Sequence, residues 1–100
     1  MLNLFKRFVK RFVNRKEITE LQGELKGLEL RLPSMEDKLF QSRSTAELWE
    51  EQVKTTLASE KEKKASVAYY WEDVYKDEAE ISQMKARIEE IKERLVLLGL

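Results

Sequence analysis

Apolar residues are distributed along this chain in two regimes. At 100° per residue, Met1, Leu2, Leu4, Phe5, Phe8, Val9, Phe12 and Val13 gather into one side of a helix, and Lys6, Arg7, Lys10 and Arg11 take the other. From Ile18 the spacing changes to alternating steps of three and four: Ile18, Leu21, Leu25, Leu28, Leu32, Met35 and Leu39, then Ala46, Trp49 and Val53. The same spacing returns at Val67, Tyr70, Val74, Ile81, Met84, Ile88, Ile91, Leu95 and Leu98. Both runs have the a and d positions of heptads. The pattern predicts an all-α protein, with a basic amphipathic helix over 1–16 followed by an antiparallel helical hairpin or coiled coil over 17–100.

Residues 58–65 carry no large apolar side chain, and Ser59 followed by Glu62 has the spacing of a capping box. A turn is therefore expected over 59–64, between arms at 17–58 and 65–98. Folding back there sets Val53 opposite Tyr70, Trp49 opposite Val74, Leu28 opposite Leu95 and Leu25 opposite Leu98. Two layers come out poor, Ala46 on Asp77 and Ser42 on Ile81. The same heptads also suit a parallel coiled coil between two chains. Pro33 steers Leu32 away from helical backbone angles, and Ser34 with Asp37 offers a restart cap. A kink or split near Pro33 follows, with a three-helix bundle as the structural alternative.

Composition narrows the chemistry. Three glycines, one proline and 38% charged residues are the make-up of long amphipathic helices. With neither His nor Cys in the chain, imidazole and thiolate metal ligands, disulfides and the Ser/His and Cys/His nucleophile pairs are excluded. A helical di-metal site built on Glu-x-x-His is excluded too, and no phosphate-binding Gly loop is present. We expect no enzyme, no cofactor, no metal and no small-molecule substrate.

The formal net charge of zero conceals a segregation. Residues 1–16 hold Lys6, Arg7, Lys10, Arg11, Arg15 and Lys16 and no acid, whereas the remainder holds 13 basic against 19 acidic residues. As a helix the basic segment is about 24 Å long, too short to cross a bilayer. It fits a membrane surface, with Leu2, Leu4, Phe5, Phe8, Val9, Phe12 and Val13 facing lipid and Lys6, Arg7, Lys10 and Arg11 facing anionic headgroups. Packing of the same face on a protein partner ranks second; a mitochondrial presequence and a nucleic-acid-binding arm rank lower, the latter because no base-reading motif follows.

Phe40, Leu48, Leu57, Trp71 and Tyr75 fall off the heptad seam, as do Leu30 and Leu97. They predict a second packing surface, for a homo-oligomer or a helical protein partner. The aromatic cluster Tyr69, Tyr70, Trp71 and Tyr75 sits among Glu72, Asp73, Asp77 and Glu78, which favours packing over base stacking.

The run Met35-Glu36-Asp37-Lys38-Leu39 followed by Arg43-Ser44-Thr45 resembles the M-E-D-x-L-x-x-x-R-S-T stretch of the phage shock protein A family. Trp49-Glu50-Glu51, the charged stretch Glu60 to Lys64, and Met84-Lys85 with Ile88 and Leu95 resemble later parts of that pattern. The resemblance implies a membrane-binding N-terminal helix followed by a helical hairpin, here with shortened arms. Pro33 directly before the matched run departs from the family, and its later polymer-building helices have no counterpart in these residues. The expectation is a protein on the cytoplasmic face of a membrane that self-associates or recruits a partner. The alternative is a structural subunit of a virion or organelle complex, with the basic helix packed on protein or nucleic acid.

Overall fold

The computed structural model describes Leu2–Leu100; Met1, placed above on the apolar arc, lies outside the described residues. Three helices account for nearly all of it: α1 (Leu2–Val13), α2 (Arg15–Val53) and α3 (Glu60–Leu97), with no strand among the described residues. The all-α expectation holds. Two compact units divide the chain, one from α1 to Leu32 together with Gln83–Leu100, the other Pro33–Ser82.

In the first unit α1 passes into α2 with an interruption at Asn14 alone. Asn14 N–H donates to the Lys10 carbonyl at 3.0 Å, and Ile18 N–H to the Asn14 carbonyl at 2.9 Å, so the hydrogen-bond ladder nearly survives the break. Ile18, Ile91, Leu95 and Leu98 form the core, with Leu21, Leu25, Leu28 and Leu100 packed against them. The expected register had left Ile18 without a partner. Its burial shows that α2 and α3 pack here in a different register. On the flanks Arg87 makes a bidentate pair with Glu24, at 2.7 and 2.9 Å, and Arg94 reaches Glu17 at 2.9 Å.

In the second unit the end of α2 and the start of α3 fold back on each other through 54–59. The turn therefore precedes the expected 59–64, and residues 60–64 open α3 instead. Ser59 is the cap that the sequence signalled: its Oγ accepts from Glu62 N–H at 3.3 Å, and its carbonyl from Lys63 N–H at 2.9 Å. A charged stretch without large apolar residues is also how an exposed first helical turn reads.

The register in this unit differs as well. Trp49 stacks on Tyr70, ring centroids 5.1 Å apart, where Val74 was expected, and Ser42 meets Asp77 in place of Ile81. The offset is about one helical turn. Its physical reason lies in the two poor layers: after the shift, Ser42 Oγ donates to Asp77 Oδ2 at 3.0 Å, and Lys38 Nζ stands 3.4 Å from Oδ1. Asp77, only 2% exposed, thus has both oxygens engaged, which a buried carboxylate requires. α2 continues through Pro33 without the split weighed above.

Candidate functional site: an outward-facing basic helix clasped to the end of α3

α1 is helical because its apolar residues recur at helical spacing with no Gly or Pro between them. The side it turns away from its own unit is the apolar one. None of its residues is buried, and Phe5, Phe8 and Phe12 are 65%, 67% and 64% exposed. Leu2, Leu4, Val9 and Val13 are exposed with them. A helix belonging to a closed globule would bury this face. Arg15 lies over the Phe12 ring, its guanidinium carbon 5.5 Å from the centroid, so the stripe ends in a cation–π contact.

The side turned inward is polar and basic. It rests on the terminal turn of α3, where Gly99 takes φ 107°. There Gly99 N–H donates to the Val96 carbonyl and Leu100 N–H to the Leu95 carbonyl, both at 3.1 Å, the paired bonds of a Schellman cap. Arg11 Nε donates to the Gly99 carbonyl at 2.7 Å, placing a cation on the negative end of the α3 dipole. A Cβ at position 99 would stand 2.9 Å from the Arg7 carbonyl oxygen and 3.1 Å from Lys10 Cβ. Glycine is required twice over, by its backbone angle and by the closeness of α1.

The sequence did not signal this clasp, apart from the glycine itself at the end of a heptad run. Beside it a crevice of about 470 Å³ opens between Asn3, Lys6, Arg7 and Lys10 on α1 and Val96 and Gly99 at the end of α3, with Leu4 at its edge. None of those three cations is in an ion pair among the described residues.

The residues expected to bind a partner divide into two groups. Trp71 and Tyr75, ring centroids 6.0 Å apart, line a groove of about 1060 Å³ with Val53 and Val67. Lys54, also lining it, is held by the Glu51 carboxylate at 3.0 Å, a hydrogen bond that raises the lysine pKa above its ordinary value. Phe40 and Leu48, two turns apart on α2, and Leu57 in the turn are exposed but do not line the groove.

Among the described residues no helix is long and apolar enough to cross a membrane, and no group of three or more His, Cys, Asp or Glu side chains is arranged to hold a metal ion. Fold and site together define an all-helical protein with an uncovered amphipathic helix. Its sequence and structure match no family model, no curated protein and no solved structure.

Proposed function

We propose that this is a non-catalytic, membrane-peripheral helical interaction protein, attached to an anionic membrane surface by α1 and self-associating or binding a helical partner through its hairpin. One observation carries the reading: α1 turns Phe5, Phe8 and Phe12 to the outside and has no buried residue. Six basic residues and no acid in the first 16 positions supply the complementary charge, each worth about 1 kcal/mol near an anionic leaflet. Burying a Phe side chain in the interface contributes up to about 1.5–3 kcal/mol.

An antiparallel coiled-coil geometry and a kink at Pro33 belong to the same proposal, supported by the missing Pro33 N–H within α2 and the unit boundary that falls there. The cytoplasmic membrane face and kinship with the phage shock protein A family are proposed on the sequence motifs alone. Exposed Phe40, Leu48, Leu57 and Tyr75, with the Trp71 groove, are the proposed partner surface.

Liposome flotation tests the anchor. The parent protein is expected to float with anionic vesicles. Phe8→Glu is expected to abolish flotation even at low salt, while replacing Lys6, Arg7, Lys10 and Arg11 by Gln leaves weak binding indifferent to lipid charge and to salt. Unchanged flotation of both variants would remove α1 as the anchor. A parent that never floats would favour the assembly-subunit reading, with the Phe face covered by protein.

A further inference from the structure

The crevice beside the clasp adds selectivity to this attachment: we infer that Asn3, Lys6, Arg7 and Lys10 receive the phosphate monoester headgroup of a single anionic lipid. The inference rests on the membrane reading and goes beyond it, because a diffuse cationic face attracts any anionic lipid whereas a crevice discriminates among them.

Spacing comes first. Positions 3, 6, 7 and 10 share one face of α1, so Asn3, Lys6, Arg7 and Lys10 border one opening of about 470 Å³. No acidic residue lines it, and neither Lys6, Arg7 nor Lys10 is in an ion pair among the described residues. Elsewhere Arg43, Arg87 and Arg94 are each in an ion pair. Lys6, Arg7 and Lys10, none of them in an ion pair among the described residues, thus stand together where α1 meets α3.

Charge then selects the ligand. Three cations are balanced less by the single charge of a phosphodiester than by a monoester, which carries about −1.5 to −2 near neutral pH and offers three acceptor oxygens. Arginine can grip two of those oxygens at once, and lysine adds a point charge.

Apolar neighbours select a lipid over a free phosphate. Leu4 and Val96, 69% and 67% exposed, both line the crevice, and Leu4 belongs to the outward apolar side of α1. A phosphate seated among the cations would have its acyl chains leaving past Leu4 and Val96, into the layer that Phe5 and Phe8 enter.

Gly99 separates this inference from the general anchor. A Cβ there would press on the Arg7 carbonyl and Lys10 Cβ, so Gly99→Ala displaces α1 from the end of α3 without altering any residue of α1. Arg7→Gln combined with Gln22→Lys, the latter at an exposed position, moves one charge out of the crevice at constant net charge.

The experiment is flotation of the full chain with phosphatidylcholine vesicles containing either phosphatidate or phosphatidylserine, matched in zeta potential, with circular dichroism to verify helix content. The parent is expected to prefer phosphatidate by roughly tenfold, the equivalent of about 1.4 kcal/mol. Gly99→Ala should keep its phosphatidylserine binding and lose that preference; the Arg7→Gln, Gln22→Lys variant, which removes a charge of the anchor itself, should bind phosphatidylserine more weakly and lose the preference as well. Equal binding of the parent to both vesicles overturns the crevice and leaves the anchor standing; no binding to either overturns both. A preference that survives in both variants locates the selectivity outside the crevice. Displacement of bound protein by soluble glycerol phosphate at the same concentration as phosphatidate overturns the choice of a lipid.

Discussion

Around the base of α1 the core consists of Ile18, Ile91, Leu95 and Leu98, and no polar side chain is buried with them; in Pro33–Ser82 the buried set is Ala46, Val74, Ile81 and the charged Asp77. The first arrangement derives its stability from apolar area, which is indifferent to small shifts along the seam. The second spends part of its interior on a carboxylate that only Ser42 and Lys38 satisfy, so it constrains which residues can face each other. Stability and register are assigned to different regions of one hairpin.

Truncation in the apolar core should have the largest effect. Ile91 is fully buried, and Ile91→Ala is expected to cost about 2–5 kcal/mol, read from chemical denaturation. Against a total of about 5–15 kcal/mol for a typical domain, this variant is near the limit of folding. A loss below about 1 kcal/mol would mean that α3 is held by something other than this core.

Asp77→Ala should cost less, about 1–3 kcal/mol, because it strips Ser42 of its acceptor. The informative variant is Asp77→Leu with Ser42→Val. It should recover stability, as apolar replacement of a buried charge often does, yet blunt the near-UV circular dichroism of the Trp49–Tyr70 stack as alternative registers become populated. An unchanged aromatic signal would deny Asp77 its part in fixing register.

The smallest effect belongs to Glu24. Hydrogen bonds from the Arg87 guanidinium hold its carboxyl below the usual carboxylate range. A depressed folded pKa stabilises above the unfolded value, about 4.3 for Glu, and this contribution is lost as pH falls through the folded pKa. Melting temperatures of parent and Glu24→Gln should differ slightly near neutral pH and converge in acid. Being exposed, the pair is screened by salt.

The same contrast explains what was legible in the sequence. Helix content and the amphipathic start follow from periodicity and composition, which depend on local spacing alone. In Pro33–Ser82 the register lies about a turn from the one the heptads suggest, because a heptad seam repeats every three or four residues and neighbouring alignments differ little in apolar contact. What separates them is one polar pair, Ser42 with Asp77, that looks like two defects until the helices are brought together. The turn was placed late because residues 60–64 lack apolar side chains for want of anything to pack against, although Ser59 had marked the boundary. The Arg11–Gly99 clasp left no local trace: its partners are 88 residues apart in sequence.

That separation bears on how the molecule is made. Pro33–Ser82 is one continuous stretch whose contacts close a short loop, whereas the unit carrying α1 cannot close until Gln83–Leu100 has been synthesised. Low contact order favours early folding of the first, and chain elongation delays the second by seconds. Throughout that interval the Phe face and the cations of α1 are both unsheltered in the nascent chain. The clasp is thus the last contact of α1 to form, on a helix both of whose faces have stood open throughout elongation.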